Sequence, residues 1–371
     1  MKKILQIVLF IVSMAASILS SAFGQTSYSK PVLENQESWS MVMIPDIQNY
    51  VKWGRNQPIL ELMTAWIEEN IDTLNIRMVV CVGDLVQNNE KITRDYDGNQ
   101  STQRQWEVAS GAFKRLNGKV PYIAATGNHD YSVDRQGNRT SRYNEFFKVD
   151  DNFLNTKYLV QNSRDEQQQQ TLANSAYEIK GLSGRDYLFM AMEFAPRDTV
   201  VSWAKKVAAM EEYKNHRIVL VTHSYLTPKD ELGAGQSKWL LWEPYQVEGK
   251  ILKSTVVLPD ANNGQQIWDK FVKGANNVDI VLSGHFSGEG YKKGTNDQGT
   301  AVHQILFDAQ AMGGGGRSGN GGDGWLRILE FFPDDKTVKV RTFSPLFGAS
   351  PTTQEHAWKK DVRNEFTIEL D

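Results

Sequence analysis

Five short apolar runs in this chain each end on a residue able to hold a cation or move a proton. Ser40 to Pro45 ends in Asp46, and Met78 to Val82 in Gly83-Asp84. Pro121 to Ala125 leads into Thr126-Gly127-Asn128-His129-Asp130, Arg217 to Val221 into Thr222-His223, and Val278 to Leu282 into Ser283-Gly284-His285. Carboxylates, amides and imidazoles are the oxygen and nitrogen donors that divalent cations take. Singly, each has a plainer use: Asp caps helices and turns well, and a His after a strand is commonly a hydrogen-bonded structural residue. Repetition at five run ends argues for chemistry. The single Cys excludes an internal disulfide and a thiolate-built zinc site, so a metal centre must be made from His, Asp, Glu, Asn or Gln. Cys81, inside an apolar run, reads as a small buried hydrophobe.

The elements that must position these residues alternate. Short β-branched runs bounded by Gly and polar residues read as buried strands. Between them, Pro58 to Leu74 places Leu60, Met63, Ile67 and Ile71 on one helical face, and Gln103–Leu116, Thr199–Tyr213 and Gln265–Val272 read the same way. Ala301–Phe307, Trp325–Phe332 and Thr337–Phe343 read as consecutive strands, the last two joined by a turn at Pro333-Asp334-Asp335-Lys336. In a layered α/β protein ligands gather outside the carboxyl ends of strands, so the five polar ends converge on one sheet edge. Two stretches depart from the alternation. Residues 131–181 are polar and read as a surface insertion with a mobile centre, and the Gly-rich stretch within 312–324 reads as a mobile linker rather than a phosphate loop. Trp239 and Trp242, three apart, read as one buried helical face.

Forty-one Lys and Arg against 44 Asp and Glu give a net charge of -3, which argues against nucleic-acid binding through bulk charge. Hydrophobic content of 40% excludes a disordered chain. Lys2-Lys3, an apolar run from Ile4 to about Leu19 and the small residues up to Gly24 read as a signal peptide over 1–24. The expectation is a periplasmic or secreted protein with one domain over 25–371 and no stable membrane span after cleavage.

The segments Asp46-Ile47-Gln48, Gly83-Asp84, Gly127-Asn128-His129-Asp130, Thr222-His223 and Gly284-His285-Phe286-Ser287 resemble, in order and spacing, the calcineurin-like metallophosphoesterases. The resemblance implies a four-layer α-β-β-α sandwich of two mixed β-sheets flanked by helices. It also implies a two-cation site hydrolysing a phosphomonoester or phosphodiester, the ions drawn from Mn, Fe, Zn, Mg and Ca. Two divalent cations about 3.5–4 Å apart generate a hydroxide near neutral pH and clamp phosphate oxygens. Under it, Asp84 bridges, Asp46 holds one cation, and Asn128, His223 and His285 hold the other. His129 stabilises the phosphoryl group or protonates the leaving oxygen, with Asp130 as its orienting partner or a turn former.

Two departures stand out. Gln48 replaces the His of the usual Asp-x-His, and Ser287 the last His of Gly-His-x-His. Both missing imidazoles belong to one cation position, left with Asp46, Asp84 and the oxygens of Gln48 or Ser287, a set that favours Mg²⁺, Ca²⁺ or Mn²⁺ over Zn²⁺. Leu85-Val86-Gln87-Asn88 lacks the Asp-Arg pair of protein Ser/Thr phosphatases. The expected substrate is a phosphorylated small molecule or envelope component. The rival is a catalytically weak protein that binds a phosphorylated ligand at a degenerate site. Tyr131, Tyr143, Phe146, Phe147, Tyr225, Trp239, Trp242 and Tyr245 could wall the substrate, and Arg135, Arg139 and Arg142 could contact an anion.

Overall fold

A computed structural model describes residues 28–371 except positions 93, 96, 134–137, 234–238, 248, 249, 257–259 and 315–317. The expected signal segment and Arg135 lie outside the described residues, as do the side chains of Trp239, Trp242 and Tyr245. None of the described helices is long and apolar enough to cross a membrane.

Two mixed sheets face each other. The first runs Trp358–Lys359, Thr337–Phe343, Leu326–Phe331, Trp39–Ile44, Ile76–Cys81, Tyr122–Ala124, with Glu365–Glu369 also on Thr337–Phe343. Its last three strands are parallel and the rest antiparallel. The second runs Gly288–Thr295, Ala301–Asp308, Val278–Ser283, Arg217–Val221, Arg185–Ala191, Gln170–Leu182, Leu159–Arg164, parallel through its middle four.

Side-chain alternation decides the layering, because successive strand residues face opposite sides. Phe189, Val219, Val221, Ile280 and Leu282 of the second sheet join the core shared with the first sheet. Their neighbours Leu188, Met190, Ile218, Leu220 and Val281 join a separate core. The helices Asp198–Ala208 and Gly264–Lys270 close that core with Val200, Val201, Ala204 and Ile267. Between the sheets, Trp39 meets Tyr187 and Phe189 at ring separations of 5.0 and 6.3 Å. Outside the first sheet lie Gln57–Glu69 and Thr102–Lys114, where Trp66 packs on Phe343 and Phe113 on Tyr122. The result is the expected four-layer α-β-β-α sandwich.

The polar insertion expected at 131–181 carries strands and short helices rather than only loop. Residues 159–182 supply two of the second sheet's strands. Their apolar signature is weak because buried polar residues are paired: Asn174 exchanges hydrogen bonds with Glu193, donating to its carboxylate at 2.7 Å and accepting from its N–H at 2.9 Å. The Gln run occupies the turn between those strands, where Arg139 reaches Glu166 at 2.7 Å. The stretch Trp239–Val247 is a strand paired with Lys250–Val256, so the helical reading of Trp239 and Trp242 fails. The described part of the Gly-rich loop is pinned rather than free: Arg55 and Asn56 donate to the carbonyls of Ser318 and Gly319, and Gly324 N–H to the Tyr50 hydroxyl.

Candidate metal centre

Each chemistry-bearing residue sits just beyond a strand. Asp46 follows Trp39–Ile44 and Gln48 opens a one-turn helix, Gln48–Val51. Asp84 follows Ile76–Cys81, Asn128–Asp130 form a 3₁₀ turn after Tyr122–Ala124, and His223 and His285 follow Arg217–Val221 and Val278–Ser283. Three of these strands belong to the first sheet and two to the second, so the site lies where the carboxyl ends of both sheets meet.

Ligand atoms of Asp46, Asp84 and His223, all buried, lie within 4.8 Å of one another. Asn128 Oδ1 is 3.2 Å from His223 Nε2 and 2.8 Å from His285 Nδ1, and Asp84 Oδ1 is 3.2 Å from His223 Nε2. His223 Nδ1 lies 2.8 Å from the Val82 carbonyl, which can only accept, so Nδ1 carries a hydrogen and Nε2 is the atom that faces the site; burial disfavours the charged ring, but Asp84 and the Val82 carbonyl raise its pKa on balance. Burial, then His223 and His129, push His285 down to about 3, which keeps its ring a neutral donor. Two glycines are required by close approach. A Cβ on Gly127 would collide with the Asp84 carboxylate, and one on Gly284 with the Asp46 carboxylate. Asp84 and His285 themselves take left-handed backbone angles (φ +50° and +71°), an uncommon conformation tolerated at functional sites. That turn aims the His285 N–H at Asp46, 3.0 Å away.

The other corner is built from oxygens. Gln48 Nε2 donates to Asp84 Oδ2 at 3.0 Å and to Gln310 Oε1 at 2.5 Å, while Gln48 Oε1 is buried with no hydrogen-bond partner. The Ser287 hydroxyl donates to Asp308 at 3.3 Å. Asp308, the last residue of Ala301–Asp308, is buried and was missed in the sequence. It ends an apolar run, Ile305-Leu306-Phe307, by the same rule as the other five. Burial first, then Asp308 and Asp84, push Asp46 well above the usual carboxylate range. Asp308 itself is pushed up to about 6 by burial and by Asp84. Burial also opposes ionisation of Asp84, but His223, His129 and His285 together hold it below its ordinary value. Buried carboxylates this close repel each other, and a divalent cation relieves that repulsion. The donor set and the orphaned Gln48 oxygen fit bound divalent cations.

His129 sits on the rim of this centre with Nδ1 2.7 Å from the Gln87 carbonyl and Nε2 3.9 Å from Asp84 Oδ2. Gln87, not Asp130, therefore takes the Nδ1 hydrogen. Asp130 instead accepts backbone N–H groups from Leu85, Val86 and Gly127 and holds the two loops together. The two described arginines of the three expected to meet an anion are otherwise engaged. Arg139 is buried on Glu166, Glu193 and the Phe194 carbonyl, and Arg142 pairs with Glu145 and Gln103. Of the five aromatic wall residues whose side chains are described, four are core: Tyr131, Tyr143, Phe147 and Tyr225 are buried, and Tyr143 stacks on Phe147.

Residues 42–287 match the family model for the calcineurin-like phosphoesterases. A relative, the uncharacterized protein YvnB of Bacillus subtilis (strain 168), is 25% identical over 376 residues, covering 97% of this chain and 24% of that protein. The chain thus spans about a quarter of that relative's length. Among solved structures the chain is similar to a dimetal phosphatase from Danio rerio, with a TM-score of 0.48, 11% identity, and 90% of this chain and 99% of that one covered. It is also similar to GAP50, the anchor in the inner membrane complex of Plasmodium, with a TM-score of 0.44, 12% identity, and 90% and 89% of the two chains covered.

Proposed function

The chain belongs to the calcineurin-like phosphoesterase family, metal-dependent hydrolases of phosphoesters, and from that premise we propose that it hydrolyses a phosphomonoester or phosphodiester at the centre around Asp84. One observation carries this reading. Asp46, Asp84 and His223, from three strand ends on two sheets, bring buried ligand atoms within 4.8 Å. Cations held there would supply an activated water and positive charge for the phosphate oxygens.

The chain's own residues do the rest. Asp84 Oδ2 faces Gln48 and Oδ1 faces His223, which supports a bridging role between the two corners. Asn128, His223 and His285 form the imidazole-rich corner, and Asp46 with the Gln48 amide oxygen forms the other. Ser287 is assigned to Asp308 rather than to a cation. His129 has its Nδ1 hydrogen on the Gln87 carbonyl, so its transferable proton is the one on Nε2. Protonated, the ring gives that proton to the leaving oxygen. Burial disfavours the imidazolium and lowers the His129 pKa, while Asp84 pulls the other way. From Lys2-Lys3 and the apolar run after it we infer export, and with it a phosphorylated small-molecule or envelope substrate met outside the cytoplasm.

The test is turnover of aryl phosphate mono- and diesters with Mn²⁺, Mg²⁺, Ca²⁺ and Zn²⁺ supplied in turn. Cation-dependent hydrolysis abolished by Asp84→Ala is expected. Aryl-ester hydrolysis that survives Asp84→Ala would sink the proposed site. The two lost imidazoles favour one second reading, a protein that binds a phosphorylated ligand, and tight phosphate binding without turnover under every cation would select it.

A further inference from the structure

Gln48 can serve a cation only if its amide presents oxygen. The two ends of an amide are similar in size and opposite in polarity, and an N–H turned toward a cation repels it. We propose that Asp308 and Gln310 are a polarity lock, positioning residues that hold Gln48 with its oxygen toward the first cation. This rests on the reading of Gln48 as a ligand.

The lock starts from a group that cannot reverse. The ionised Asp308 carboxylate only accepts: Oδ1 takes the Gln310 N–H at 2.9 Å, and Oδ2 takes Gln310 Nε2 at 2.8 Å and the Ser287 hydroxyl at 3.3 Å. With Nε2 of Gln310 so committed, its Oε1 must be the end that faces Gln48, and it accepts from Gln48 Nε2 at 2.5 Å. Gln48 Oε1 is then the end left over, buried and without a hydrogen-bond partner. Asn49 clamps the relay from the side, donating to the Gln310 carbonyl at 3.1 Å. The Gln48 Nε2 contact to Asp84 at 3.0 Å has the same polarity, but Asp84 is also the bridging carboxylate. Gln310 is therefore the partner that holds Gln48 without competing for a cation. A carboxylate-anchored amide relay here does for Gln48 what a hydrogen-bonded carboxylate does for a ligand imidazole.

The experiment is Mn²⁺ titration of the full chain by calorimetry, with electron paramagnetic resonance to separate one bound ion from a coupled pair. Asp308→Asn and Gln310→Ala should each weaken the first ion about tenfold and leave the second unchanged, with any shift in the melting midpoint measured without cation taken as the structural baseline. Because both act through one relay, the double variant should lose little more than either alone. If Asp308→Asn abolishes the first ion while Gln310→Ala leaves it intact, Asp308 is itself a ligand and the lock is overturned. If Gln48→Ala weakens the first ion but neither relay variant does, the lock alone fails. If Gln48→Ala leaves both ions at full affinity, the ligand reading of Gln48 fails first.

Discussion

The two corners of the proposed cation centre solve one problem with different materials. Around His223 and His285 the donors are imidazole nitrogens fixed by the backbone: a Val82 carbonyl sets the His223 tautomer, and a left-handed turn seats His285. Around Gln48 the donors are oxygens fixed by other side chains, with Gln310 and Asp308 standing behind the amide. Nitrogen donors held by main chain suit a tightly bound borderline cation, whereas neutral and anionic oxygens suit a harder, more exchangeable one. On the proposed reading, the difference teaches that a corner without imidazoles is not left bare. The oxygen-rich corner carries its own supporting structure.

The largest effect expected from this contrast is at the nitrogen-rich corner. His223→Ala should lower turnover by about 10³-fold or more, because several kcal/mol of charge stabilisation would go with the cation it is proposed to hold. Gln48→Ala should cost less, about 10–100-fold, and recover in part when Mn²⁺ is raised, since the two carboxylates remain. Equal losses, unresponsive to added Mn²⁺, would erase the distinction between the corners. His129→Ala lies outside both and should lower turnover by about 10²-fold for an alkyl ester and much less for an aryl ester, whose leaving oxygen needs little protonation. A uniform loss across leaving groups would mean that His129 positions phosphate instead of donating a proton.

Much of this was legible in the residues because run-end positions are a local signal. Asp46, Asp84, Asn128, His223 and His285 all announce themselves by following apolar strands. Asp308 obeys the same rule and was still overlooked, since Ala301–Phe307 reads as the start of a carboxyl-terminal set of strands instead of as the parallel neighbour of Val278–Ser283. Parallel pairing is nonlocal and leaves no mark on the residues themselves. Gln310 carried no signal at all, because an amide relay exists only once three segments have met. The strands over 159–182 were hidden for a related reason: Asn174 reads as a loop residue until its partner Glu193 is known.

Proton competition offers a finer probe of the same contrast. Asp308 (about 6) and Asp130 (about 7) lie above the ordinary value of 3.8, so the folded cation-free chain holds protons that the unfolded chain releases. Those two groups favour the fold at low pH, and their contribution is lost as pH rises through 6 to 7. Cation binding needs the ionised carboxylates, so the rise in melting midpoint on adding Mn²⁺ should grow from about pH 5.5 to about pH 7.5. His285, pushed down to about 3, adds nothing in that window. Asp308→Asn should flatten the dependence, whereas a profile unchanged by it would assign the titration to the neighbouring raised groups Asp46, Asp130 or His223.

Ser287 should give the smallest effect and is the sharpest test of how the lost imidazole was replaced. If Ser287 stood in for that ligand, Ser287→Ala would resemble Gln48→Ala. Its hydroxyl instead donates to Asp308 Oδ2 at 3.3 Å, an oxygen that also accepts from Gln310 at 2.8 Å. Removing one of several donors to a buried carboxylate costs about 1 kcal/mol, while the relay to Gln48 keeps its polarity. The expected outcome is a small fall in melting midpoint, Mn²⁺ affinity within about threefold of the parent and near-parental turnover. Loss of an ion in Ser287→Ala would move the serine into the ligand set and leave Asp308 as its support.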